Sequence, residues 1–395
     1  MHKFNSKIYR ILIALAGIIF HSCVEEIDVN IEASEQALVV ETLITNEFKN
    51  QVIKLSKSYG FEESGSSPEM NAEVYIAEGS RQINFTETSP GIYTSVSEFA
   101  AQPNTPYKLY IERSNGIKYE SLASEIRGVT SIDSIYVENI VDEFGNEFVS
   151  IYVDSYDPTG NSVYYRYEYE ETFKIVAPYW TPFDLNVPTL NPKLILKTTE
   201  QQVCYGTDKS IDIIQKETSN LAEDKVSKFT VLSLNKEDPK IRTRYSLLVK
   251  QYVQSIDAFS YYKTLKNFSG SDNILSQNQP GFFEGNIYSL DDPQKNKVLG
   301  FFEVASVSYA RVFFNYIDLF PDSYSPNYFI DCQEGTPPAS DARDAIMQGT
   351  YKFYRDNPNY PNPLDQNEGP WIIVAAPCGD CTKLGSNVKP DYWED

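Results

Sequence analysis

A chain of 395 residues with 34 Lys and Arg against 55 Asp and Glu carries a formal charge of −21, and so acidic a surface repels nucleic-acid phosphates and anionic lipid headgroups. Both histidines, His2 and His21, fall in a segment that reads as a removable leader. The body then has no imidazole, which excludes Ser-His-Asp and Cys-His catalysis, a histidine base, and His-ligated zinc or iron. Carboxylate chemistry, calcium on oxygen ligands, or no chemistry at all remain open.

The leader comes first in chain order. Lys3, Lys7 and Arg10 run into the apolar segment Ile11–Phe20, and Ser22 then stands directly before Cys23. Ten apolar residues are about half of what crosses a bilayer, so residues 1–22 read as a secretory signal rather than a retained anchor. Cys23 is the expected lipidation site, which would tether a soluble body to a membrane by acyl chains. Phe20 and His21 depart from the aliphatic and small residues usual before such a cysteine, and a plain signal with Cys23 as one more disulfide cysteine is the alternative. Cleavage would leave 31 basic against 55 acidic residues, a charge of −24. Residues 23–35, with Glu25, Glu26, Asp28, Glu32 and Glu35, read as an acidic tether.

Residues 36–127 alternate apolar and polar positions in short runs, predicting strands at 38–44, 51–57, 73–77, 82–86, 92–95, 107–113 and 117–122. Tyr107, Leu109 and Ile111 share a face, Ile117 and Tyr119 answer them, and Ser114-Asn115-Gly116 supplies a turn that needs positive φ. This density of strands is the pattern of a β-sandwich.

Residues 128–395 read as a second β-rich domain. Strands are expected at 131–140, 147–156 and 163–175, the last with Val163, Tyr165, Tyr167 and Tyr169 on one face. The turns Asp142–Asn146 and Asp157–Asn161 carry carboxylates but lack the ligand spacing of a calcium loop, so they read as solvated hairpin turns. After an irregular stretch around Trp180, marked by Pro178, Pro182, Pro188 and Pro192, strands are predicted at 194–205, 228–234 and 243–253. Ser255 then caps a helix over 256–267, with Asp257 in its first turn. Its stripe of Phe259, Tyr262 and Leu265 is expected to face the core. Strands at 297–304 and 309–315 precede a long loop, 317–370, with a short helix at 341–347. A loop of that length suits a contact surface or a disulfide-pinned cover. Trp180, Trp371, Trp393 and the many tyrosines could supply surface for recognising a protein or a sugar. The fold class expected is mainly β: two antiparallel Ig- or fibronectin-like sandwiches with one short helix in the second.

Cys204, Cys332, Cys378 and Cys381 remain in an exported, disulfide-permissive body, and two bridges are expected among three connectivities. Cys378-Gly379-Asp380-Cys381 has the CxxC spacing of a redox motif but no following helix pattern, so structural bridges are the stronger reading. A four-cysteine zinc site would need a second close pair. Neither metal nor cofactor is expected.

Several stretches together resemble a known family. They are Leu38-Val39-Val40-Glu41 with Ile44-Thr45, Ile132-Asp133-Ser134-Ile135, Tyr245–Tyr252, Gly285-Asn286-Ile287, Leu299-Gly300-Phe301-Phe302, and the tail from Cys378-Gly379-Asp380-Cys381 through Lys389-Pro390-Asp391-Tyr392-Trp393. In order and spacing the sequence resembles the Bacteroidota lipoproteins grouped as domain-of-unknown-function family 4249. The resemblance implies an outer-membrane lipoprotein found beside TonB-dependent transporters, with no catalytic residues to carry over. Glu25 and Glu26 after Cys23 look like the acidic tag that sends such lipoproteins to the cell surface. The expected function is a non-catalytic, surface-exposed accessory that binds such a transporter. A structural or adhesive surface lipoprotein, or a carboxylate-dependent glycan hydrolase, are the competing readings.

Overall fold

The computed structural model describes residues 36–59, 65–187, 192–269, 284–361 and 367–395; the expected signal and tether, with Cys23, Glu25 and Glu26, lie outside them. Ala37–Asp395 forms one compact, mainly β unit with a few short helices.

The first strands are β1 (Leu38–Thr45), β2 (Val52–Lys57), β3 (Ser67–Pro68), β4 (Glu73–Glu78), β5 (Arg81–Ser89), β6 (Ile92–Ser95), β7 (Tyr107–Glu112) and β8 (Lys118–Ser121). Every strand expected between residues 38 and 122 is present, because each carries the period-2 alternation that a half-buried sheet face requires. Tyr107, Leu109, Ile111 and Tyr119 are buried as their shared face demands. Gly116 closes the β7–β8 turn at φ +87°.

The chain continues through β9 (Ser134–Val141), β10 (Glu147–Asp157), β11 (Tyr164–Val176), β12 (Phe183–Leu185), β13 (Leu194–Leu196), β14 (Val203–Lys209), β15 (Ile214–Glu217), β16 (Asp224–Asn235) and β17 (Arg244–Val253). Helix α1 (Ile256–Ser269) follows, its Ser255 hydroxyl accepting from the Ala258 amide at 3.1 Å. Then come β18 (Ile287–Ser289), β19 (Val298–Asn315), β20 (Tyr351–Asp356) and β21 (Trp371–Ala375). The single strand expected at 194–205 is split, because the Glu200 carboxylate turns back to accept the amides of Gln202 and Val203. The loop expected over 317–370 holds the short helix expected within it, as Ala339–Met347, and also β20, which pairs with β21.

The two strands expected at 297–304 and 309–315 are one 18-residue strand, β19, and it joins the molecule. Its first half runs parallel to β1, from Leu38↔Val298 to Thr45↔Ala305, and its second half runs antiparallel to β17, from Val253↔Ser306 to Arg244↔Asn315. A single mixed sheet results, in the order β14-β11-β17-β19-β1-β2-β6-β5-β4-β7-β8-β18, with β15 beside β11 and β3 beside β2. The chain therefore does not divide at residue 127 into two separate sheets. Two cores do lie along this sheet. One gathers residues 38–126, with Ile287, Val298, Phe302 and Val304 returning from far along the chain. The other gathers Val149, Ile151, Val153, Val226 and Leu234 of β10 and β16 with Tyr165, Tyr167, Tyr245, Leu247 and Val249 of β11 and β17. The physical reason for the crossover is the edge of β1: opposite β2 it presents free N–H and C=O groups, and β19 satisfies them while adding Phe302 and Val304 to the same core.

The junction requires glycine. Gly300 sits at φ +134°, and a Cβ there would lie 2.1 Å from the Val40 carbonyl oxygen. A Cβ on Gly285 would lie 1.7 Å from the Gly300 oxygen, so the two glycines let three backbone segments meet.

Candidate ligand groove beside helix α1

Alternation along β11 sends Tyr165 and Tyr167 into the second core and Arg166, Glu168 and Glu170 to the opposite face of the sheet. On that face register sets Arg166 beside Tyr252 of β17 and Glu168 beside Lys250. The first half of β19 adds Leu299, Phe301 and Glu303, β1 adds Val39, Glu41 and Leu43, and β2 adds Val52 and Lys54. Helix α1 packs along this face, and the space it leaves is a groove of about 600 Å³.

Arg166 is the buried pole of the groove. Its guanidinium donates to Glu168 and, at 3.3 Å, to Glu303, and it lies 4.6 Å from the Tyr252 ring centroid and 4.8 Å from that of Tyr262. Glu303 is almost fully enclosed and also accepts from Gln254 Nε2 at 2.8 Å, while the Tyr252 hydroxyl donates to Glu168 at 3.1 Å. Burial opposes the charge on Arg166, yet Glu303, Tyr262 and Glu168 hold its pKa above the ordinary guanidinium value. Burial and the Glu168 carboxylate likewise push the Tyr252 hydroxyl up. At the open end Lys54 pairs with Glu41 at 3.5 Å, both well exposed. The walls are Leu43, Val52, Leu299, Phe301, Leu265 and the Tyr261 ring, which packs on Phe301 at 5.1 Å. The helix stripe expected to be core is thus divided: Phe259 is buried, while Tyr262 and Leu265 line the groove.

No sequence motif announced this site. Its one local signal is Glu303, a carboxylate between Phe302 and Val304 in the apolar run 298–305 of β19, where an unpaired charge would be too costly to bury.

The sequence-predicted cysteines lie elsewhere. Cys204 bonds to Cys381 and Cys332 to Cys378, so the CxxC cysteines are not bonded to each other and anchor two separate staples. Cys204, Cys378 and Cys381 are fully buried, and the bridges pin the tail and the excursion carrying Cys332 onto the second core. The two acidic turns are satisfied internally: Asp142 accepts from the Phe144 and Asn146 amides and the Asn146 side chain, and Asp157 from the amides of Thr159 and Asn161. Among the described residues no group of three or more Cys, Asp or Glu side chains is placed to hold a metal ion. No described helix is long and apolar enough to cross a membrane. Trp393, considered above as recognition surface, is buried against Tyr205 and Phe313, while Trp180 and Trp371 are half-buried, each packed against a core cluster.

Comparison with curated proteins gives no match. Among solved structures, one described as "Biofilm associated protein - BSP domain" aligns at 9% identity over 71% of this chain, with a TM-score of 0.12. This chain spans 59% of that structure's length, and the likeness is too slight to bear on fold or function. The family comparison does bear on identity: residues 24–311 match the profile described as "Domain of unknown function (DUF4249)", and the chain belongs to that family.

Proposed function

We propose that the protein is a non-catalytic lipoprotein of the outer membrane, tethered through Cys23 with its body facing the cell exterior, and an accessory that binds a TonB-dependent transporter. The observation that carries the non-catalytic part is chemical. Residues 23–395 contain no histidine, the side chain most often used as a general acid or base near neutral pH. The tether supplies the mechanism. Acyl chains on Cys23 confine the body to the membrane plane and raise its effective concentration beside an integral partner. Glu25 and Glu26 support export to the surface, and the staples at Cys204–Cys381 and Cys332–Cys378 suit an oxidising exterior.

Two readings on the native host test this placement. Mass spectrometry of the mature N-terminus is expected to find residues 1–22 removed and Cys23 acylated, and protease added to intact cells is expected to digest the body. An unmodified Cys23, or a body protected until the outer membrane is opened, contradicts it.

A further inference from the structure

We infer that the groove between α1 and the β2-β1-β19 face binds a neutral, polyhydroxylated ligand, of which a hexose unit of a glycan is the simplest form. The inference rests on the proposed binding function and names the chemistry of the cargo. At about 600 Å³ the groove falls within the range of small-molecule sites, roughly 300–1,000 Å³.

Its charges decide the ligand class. Each one already has an opposite partner in contact: Lys54 with Glu41 at 3.5 Å, and Arg166 with Glu168 and with Glu303 at 3.3 Å. An anionic ligand would compete with these carboxylates for Arg166 and Lys54. A cationic one would compete with the bases for the carboxylates. A hydroxyl competes with neither, since it donates to a spare carboxylate lone pair while accepting from an ammonium or guanidinium N–H. Vicinal hydroxyls would span Lys54 and Glu41, whose exposure leaves both with unused bonding capacity. A purely apolar occupant would strip water from that pair and return no hydrogen bonds. The C–H faces of a sugar ring match the remaining wall, made by Leu43, Val52, Leu299 and Leu265 with the Tyr261 ring.

The test is calorimetric titration of the full-length protein in detergent. Probes are uncharged oligosaccharides of glucose, mannose, galactose and xylose, with oligogalacturonate and chitosan oligomers as anionic and cationic controls. At least one neutral probe is expected to bind, and Glu41→Ala with Lys54→Ala, both exposed and on the sheet face opposite the first core, is expected to weaken it at least tenfold. Phe144→Ala, at the distant β9–β10 turn, is expected to leave binding unchanged. The inference is overturned if no neutral probe binds at millimolar concentration, if a charged oligomer binds more tightly, or if the Glu41/Lys54 variant binds as well as the parent. Recovery of a transporter with the same preparation is read separately. A transporter without saccharide binding overturns this inference and leaves the proposed function standing; saccharide binding without a transporter does the reverse.

Discussion

Arg166 of β11 and Glu303 of β19 meet 3.3 Å apart at the seam between the two cores. Glu303 stands in the half of β19 that pairs with β1, at the register Leu43↔Glu303, whereas Arg166 belongs to the sheet over the second core, at Arg166↔Tyr252. The pair therefore ties together side chains from both halves of the molecule, reinforcing the continuity that β19 gives the backbone.

Both partners are buried, so removing one strands a charge. Arg166→Ala is expected to cost about 3–5 kcal/mol in urea unfolding. The double change Arg166→Met with Glu303→Leu is expected to recover most of that loss, because neither charge is left uncompensated. Equal instability in the double and single variants would show that the pair is not the source of the effect.

The two staples should differ in weight. Cys204–Cys381 closes a separation of 177 residues and Cys332–Cys378 one of 46. Loop-closure entropy makes the longer bridge worth more by about 1 kcal/mol. Denaturant midpoints of the paired Cys→Ser variants are expected to fall further for Cys204/Cys381 than for Cys332/Cys378.

Asp380 contributes to the acid limb. Burial alone would raise its pKa, but hydrogen bonds from Thr382 and the Lys352 ammonium at 3.2 Å hold it below the ordinary carboxylate value. Because the folded value lies below the unfolded one, near 3.9, the stabilisation is complete above about pH 5 and is lost as pH falls through the folded pKa. Asp380→Asn is expected to lower stability at pH 7 and to flatten its decline between about pH 5 and pH 2. An unchanged acid limb would place its origin in other carboxylates.

Lys197 shows the opposite balance. Its ammonium is buried, with the Gly379 carbonyl oxygen 3.5 Å away, Asp184 at 3.9 Å and the Trp180 ring at 5.8 Å. Burial lowers its pKa. The unfolded chain thus holds that proton more tightly, and stability from this group rises as pH climbs through the folded pKa towards the unfolded value near 10.4. Lys197→Met is expected to leave stability at pH 7 unchanged or higher, by up to about 1 kcal/mol, and to remove the alkaline rise.

The strands were legible because alternation is local. Tyr107, Leu109 and Ile111 declare their face within five residues, and Gly116 declares its turn. The helix was legible from Ser255 and Asp257 for the same reason. The union of the two cores was not, since it depends on which edge β19 seeks, and Val298–Ala305 carries no mark that it belongs beside Leu38–Thr45. The same distance hides the groove: Arg166 and Glu303 stand 137 residues apart, and although Glu303 stands out in its apolar run, nothing local names Arg166 as its partner. The bridges add a third case, as four cysteines admit three pairings and only the folded positions choose one.

The measurement that tests the account most directly is a mild-detergent pull-down of the tagged full-length protein from its own outer membranes, with quantitative mass spectrometry of what accompanies it. A TonB-dependent barrel is expected in near-equal amount, lost when Cys23→Ser removes the tether. Recovery of the protein alone, or of a barrel whose yield is unaffected by Cys23→Ser, would contradict it.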